Sequence, residues 1–207
     1  MLTRYGFAAI HIDGVEYKLS PTFQNIDKLG TPIEIIETVK SLYNCPSFNW
    51  QYHRALEVVQ ACCEPKLPDK FTGRFKTLEN GKIKLVNPPS AGFIHDIVVL
   101  ALHCVKHGVT GFTSEEVSGD GEPLKEFDAY FYMGLAQEHL NKTREQSADM
   151  TMTEFLMLWD IKFPESKKER EEKARKAKSL NALMEYQKEL DEKAAQKRAA
   201  KSKSKQV

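Results

Sequence analysis

Apolar and polar residues alternate from Val15 to Leu19, and a mostly apolar run from Phe7 to Ile12 lies on the other side of Asp13-Gly14. A period of two marks half-buried strands, and Asp-Gly tolerates the positive φ angles of a tight turn, so a β-hairpin is predicted here. Ser20-Pro21 reads as the N-cap and first residue of a helix that carries Phe23, Ile26 and Leu29 near one face and ends at Gly30. Thr31-Pro32-Ile33-Glu34 has the form of a capping box with proline at the first helical position. It opens a second helix whose inward stripe is Ile35, Ile36, Val39 and Leu42, stopped by Asn44-Cys45-Pro46-Ser47. A third helix is predicted from about Trp50 to Cys63, with Ala55, Leu56, Val58 and Val59 in its core and Pro65 and Pro68 beyond its end.

Arg74 to Leu78 and Ile83 to Val86, around Asn80-Gly81, predict a second, shorter hairpin, with Lys76, Lys82 and Lys84 marking an exposed edge. The stretch from Ala91 to His107 is apolar nearly all round, which predicts a central helix, with Gly108 just past its C-terminus. Residues 111–124 read as a loop. A helix from about Leu124 to Leu140 is expected to turn Phe127, Phe131 and Leu135 inward, with Tyr130 at the margin of that face. Thr151-Met152-Thr153-Glu154 is another capping box, opening a short apolar helix from Phe155 to Phe163 that Pro164 closes. The pattern as a whole predicts an α+β fold, mostly α-helical, with an N-terminal hairpin and a second short hairpin packed with a helical core.

After Pro164 the composition changes. No Gly, Pro or Phe occurs from Glu165 onward, and the segment holds 14 Lys/Arg against 8 Asp/Glu, a charge of +6. Residues 1–164 hold 16 against 21, a charge of −5, and the two give the net +1. A globular body over 1–164 carrying a basic, helical C-terminal arm over 165–207 is therefore expected, its KSKSKQV end frayed. Glu169–Lys173, Glu171–Arg175, Glu172–Lys176 and Glu189–Lys193 are i,i+4 pairs in the favourable order. Each contributes roughly 0.2–0.5 kcal/mol, which supports a helix without building a core. One thin apolar stripe runs along the arm, through Leu180, Leu183, Met184, Tyr186, Leu190 and Ala194. It has the width to meet a partner helix or a second copy, and Leu180, Leu183, Met184 and Leu190 are its candidate binding residues.

The longest apolar run, about Phe93 to Val105, is interrupted by His95, Asp96 and His103 and falls short of the roughly 20 residues that span a bilayer. The N-terminus shows no signal-peptide pattern. Cys45, Cys62, Cys63 and Cys104 follow no C-x-x-C spacing, so reduced thiols in a cytoplasmic chain are expected, with Cys62 and Cys63 on neighbouring helix positions. No membrane partner is implied.

Candidate chemistry is sparse. His103 and His107 sit four apart on one predicted helix, a spacing that can bind zinc, and Cys62, Cys63 and Cys104 could lie nearby. The residue after His103 is Cys104, though, where the metalloprotease pattern needs Glu. Ordinary, partly exposed histidines beside core cysteines are the expected outcome, and a metal-dependent enzyme around His103/His107 is an alternative. Gly119-Asp120-Gly121 lacks the rest of a phosphate loop. No catalytic residue, metal or cofactor is expected. A nucleic-acid-binding accessory protein acting through the arm is a further alternative. Glu is interleaved with Lys through 165–176, however, and the arm has one Tyr and no Trp or Phe for base stacking, so nucleic acid is not the expected partner.

Residues 6–30 read GFAAIHIDGVEYKLSPTFQNIDKLG, with Gly14, Tyr17, Leu19, Pro21, Thr22 and Phe23 at the centre. This resembles the N-terminal pattern of tail-assembly chaperones of long-tailed bacteriophages and gene-transfer agents, where a hairpin with G-x-x-Y-x-L-x-P-T-F runs into a helix. Ile97 to Gly111 and Met150 to Pro164 resemble that family more loosely. The segment from about 66 to 90 and the long arm have no counterpart in it. The resemblance implies a non-enzymatic protein of the bacterial host cytoplasm. Its implied partner is the tape-measure protein, kept soluble until the tail tube polymerises around it, and the tail tube protein is a second implied partner. Self-association through the arm stripe is compatible with the same role.

Overall fold

The N-terminal alternation forms an antiparallel pair, β1 (Ala8–Ile12) and β2 (Val15–Leu19), in the register Ala8↔Leu19 through Ile12↔Val15. The turn is left-handed at both central residues, Asp13 at φ 50° and Gly14 at φ 78°. A Cβ on Gly14 would meet no atom within 4 Å, so the turn needs glycine for its backbone conformation alone. Gly14→Val is expected to cost about 1 kcal/mol or slightly more in a urea titration. A neutral result would show that the turn relaxes to another type.

The computed structural model describes residues 5–45, 47–78, 83–111 and 125–164, and residues 5–162 of this set belong to one compact unit. The fold is α+β and mostly helical, with two small antiparallel sheets packed on helices. The arm, with Leu180, Leu183, Met184 and Leu190, and the turn at Asn80-Gly81 lie outside the described residues, as do residues 112–124 of the predicted loop.

The first helix, α1 (Phe23–Asp27), starts later than Ser20-Pro21 implied. Ser20 is still engaged with neighbouring backbone: its N–H donates to the Cys62 carbonyl at 2.9 Å, and Thr22 becomes the N-cap. The next helix, α2 (Pro32–Tyr43), follows its sequence signal, with the Thr31/Glu34 capping box made in both directions. Ile35, Ile36 and Leu42 are buried and Val39 is half-buried.

Helix α3 (Phe48–Cys62) begins two residues early and stops one short of expectation. Cys63 is not helical. It caps α3 in extended geometry and, with Glu64, forms β3 (Cys63–Glu64), pairing with Leu19 and Lys18 to give a sheet of order β1-β2-β3. A single turn of helix, α4 (Asp69–Thr72), leads into the second hairpin, β4 (Arg74–Thr77) and β5 (Ile83–Val86). Phe75 and Leu85 oppose each other on its inner side, and Phe75 packs on the rings of Tyr52 and His53 at 5.6 and 4.8 Å.

The apolar stretch forms α5 (Ala91–Val105), capped by the Ser90 hydroxyl, which accepts from the Phe93 N–H. It packs chiefly against α3. It is not buried all round: Ile94, Ile97, Ala101, Cys104 and Val105 face inward, whereas His95, Asp96 and Val99 are exposed. The helix also runs on. Lys106–Thr110 form a π-helical turn, and Gly108 lies inside it rather than beyond the end. The reason is contact. A Cβ on Gly108 would lie 2.7 Å from Ile26 Cγ1 and 2.9 Å from the Pro21 carbonyl, so α1 approaches this turn over bare backbone. The 20-residue stretch Ala91–Thr110 has the length and composition of a membrane span and is longer than the Phe93 to Val105 run expected from the sequence. Here it is the helix on which the core is assembled.

Helix α6 (Ala129–Leu140) starts after the expected Leu124, and its inward face is turned from the expected one. Phe127 is buried, but it precedes the helix in irregular backbone, where its N–H donates to the Pro32 carbonyl at 3.0 Å. The i,i+4 relation from Phe127 to Phe131 therefore does not hold. Ala129, Met133 and Ala136 face the core, Leu135 is half-buried, and Tyr130 and Phe131 are exposed at 64% and 58%. A short helix, α7 (Arg144–Ala148), with its own Thr143/Gln146 capping box, was not read from the sequence. The last described helix, α8 (Met152–Lys162), is capped by the Thr151 hydroxyl, which accepts from the Glu154 N–H at 3.1 Å.

Candidate functional site

Two parts of the molecule gather residues that could carry chemistry or recognition. The first is where α5, the π-helical turn, α8 and the N-terminal segment meet. The His103 and His107 rings lie 4.5 Å apart, centre to centre. His103 Nε2 is 2.8 Å from the Gly6 carbonyl, and since a carbonyl only accepts, Nε2 carries the proton. His107 Nδ1 is 2.9 Å from the Thr153 hydroxyl. Thr151 Oγ1 donates to the Tyr5 carbonyl at 2.8 Å. The two histidines and Thr151 therefore tie three distant pieces of chain together.

His107 is buried, where a partly exposed histidine was expected. Burial, reinforced by the neighbouring His103 and Lys106, pulls its pKa down to about 4, so it is neutral at physiological pH. Among the described residues no group of three or more His, Cys, Asp or Glu could hold a metal ion.

Cys62, Cys63 and Cys104 are buried free thiols. A hydrogen bond with Cys62, together with burial, pushes the Cys104 thiol well above its usual range, and burial pushes Cys63 up to about 11. A thiol held protonated is a poor nucleophile and a poor ligand, so Cys63 and Cys104 act as small core residues.

The second part is the N-terminal motif. Tyr17, Leu19, Pro21, Thr22 and Phe23 are all buried, while Gly14 sits in the exposed turn. The motif is fastened to the start of α8: Phe23 N–H donates to the Met150 carbonyl at 2.9 Å, and Thr22 forms a β-bridge with Thr151. The motif is thus a structural joint, with little of its side-chain surface offered to a partner.

Exposed apolar side chains lie elsewhere. Tyr130 and Phe131 stand out from α6, and Ile161 from α8 is 76% exposed. Tyr43, Phe48 and Trp50 are exposed at the α2–α3 corner, where the Arg54 guanidinium lies 4.8 Å from the centre of the Trp50 ring. Trp159 packs on Phe155 and His139 at 5.3 and 5.6 Å. None of the outward aromatics was singled out as exposed by periodicity.

These features define an α+β helical domain with a tied N-terminal hairpin and outward aromatics. The chain belongs to a family of unknown function, DUF6246, whose model matches residues 44–176. The match starts after the N-terminal motif and continues a dozen residues past Pro164 into the arm. No curated protein and no solved structure matches the chain.

Proposed function

We propose that this chain is a tail-assembly chaperone of a long-tailed bacteriophage. It binds a helical segment of the tape-measure protein and keeps it soluble in the host cytoplasm until the tail tube encloses it. The observation that supports the reading is the hairpin-into-helix unit. The residues that carry the resemblance, Gly14 through Phe23, run from the hairpin turn through β2 into α1, with Tyr17, Leu19 and Phe23 in the core and Gly14 at positive φ. The role asks for no catalytic group or cofactor. It asks for apolar surface offered to a partner helix and for charge that keeps the complex soluble. The arm stripe Leu180, Leu183, Met184 and Leu190 meets this requirement in sequence, and the outward Tyr130, Phe131 and Ile161 add apolar surface on α6 and α8.

The test is co-expression of the full chain with tagged tape-measure fragments. Leu183→Glu with Leu190→Glu should leave the thermal melt unchanged and lower the recovered complex at least about tenfold, the effect of losing on the order of 1.4 kcal/mol of binding. Equal recovery of wild type and double variant would remove the arm stripe from the mechanism. Failure of every tape-measure fragment to bind would remove the chaperone reading itself.

A further inference from the structure

We propose that the outward face of the β4–β5 ribbon binds the phosphate backbone of duplex nucleic acid. Residues 65–90 hold six Lys/Arg against two Asp/Glu, a local charge of +4. Alternation sorts them. Phe75, Leu85 and Ile83 are half-buried, while Arg74, Lys76 and Lys84 are exposed. Lys76 and Lys84 are directly opposite each other across the two strands. Like charges in that position destabilise a hairpin, and among the described residues neither lysine has an acidic partner. Arg74, next along the ribbon, pairs through Nε with Asp69 at 2.6 Å, and its side chain is exposed. An anionic ligand would relieve this repulsion.

The form of the anion follows from the form of the ribbon. A two-stranded antiparallel ribbon fits the major groove, about 12 Å wide, with its outward cations toward phosphates. Its inner side is fixed by Phe75 on Tyr52 and His53, so the lysines are presented by a supported element. Among the described residues the outward side chains include no aromatic residue, so they offer no stacking platform of the kind single strands need. The acidic character of the body does not oppose this. Residues 115–128 alone hold six acidic residues against one basic, which accounts for the whole −5 of residues 1–164.

The experiment is a fluorescence-anisotropy titration of a short duplex with the full chain, repeated between about 50 and 200 mM salt. The arm also contributes cations, so the readout is the change in slope. Each phosphate contact contributes about 0.9 to the slope of log K against log salt, so Lys76→Gln with Lys84→Gln should lower it by nearly two. Each single variant should lower it by about one, which keeps the test valid if the double variant folds poorly. An unchanged slope in all variants would assign binding to the arm and overturn the proposal. So would no duplex binding by the wild type at the lowest salt. Binding of polyglutamate that the double variant loses, with duplex binding unaltered, would make the partner an acidic protein and overturn it too.

Discussion

Phe23→Ala should destabilise the protein by about 3–5 kcal/mol, measured as the shift in a urea unfolding midpoint at constant m-value. Phe23 has no solvent exposure. Its ring centre lies 5.8 Å from that of Tyr132, 6.1 Å from Phe155 and 6.5 Å from Phe127, so three separate segments converge on one side chain. Truncation would remove the transfer term for the ring and leave a cavity walled by aromatics. Those neighbours cannot close it easily. Phe127 is held by its backbone bond to Pro32, and Phe155 N–H donates to the Thr151 carbonyl at 2.9 Å. Phe23→Leu fills more of the space and should cost distinctly less. A loss below about 1 kcal/mol for the alanine variant would mean that the aromatic cluster repacks freely, contrary to this view of the core.

What the sequence made legible divides by the range of the interactions involved. The Thr31/Glu34 capping box and the Asp13-Gly14 turn depend on residues within a few positions, and each is formed. The Thr143/Gln146 box is equally local, and its T-x-x-Q pattern could have revealed α7. The misreadings come from distant partners. Cys63 leaves the helix because Leu19 offers it a strand to pair with. The turn around Gly108 becomes π-helical where α1 presses Ile26 against it. Phe131 points outward because Phe127, four residues earlier, is held outside the helix by Pro32. The candidate site follows the same rule. The i,i+4 spacing of His103 and His107 placed the two rings together, but only Gly6 and Thr153, remote in sequence, show what those rings hold.

That last cluster contributes to the pH dependence of stability. The pKa of His107 falls from 6.5 to about 4 on folding, first because burial penalises the cation and then because His103 and Lys106 oppose a further positive charge. Above pH 6.5 the imidazole is neutral in both states, and its contribution to stability is fully present. As the pH drops below that value, the unfolded chain takes up a proton that the folded chain does not, so unfolding becomes easier by about 1.4 kcal/mol per pH unit. The loss ends near pH 4, where folded His107 protonates as well, and by then it amounts to about 3 kcal/mol. Glu154 works in the opposite sense, since burial raises its carboxyl pKa, so the raw pH profile mixes the two. Comparison with His107→Gln separates them. The amide can still hydrogen-bond the Thr153 hydroxyl, and it does not titrate. Urea midpoints measured from pH 7.5 to 4 should converge: the variant should start less stable than the wild type and lose less as the pH falls. Parallel profiles would show that His107 is not protected from protonation, and that the ties among Gly6, the π-helical turn and α8 do not depend on its neutral form.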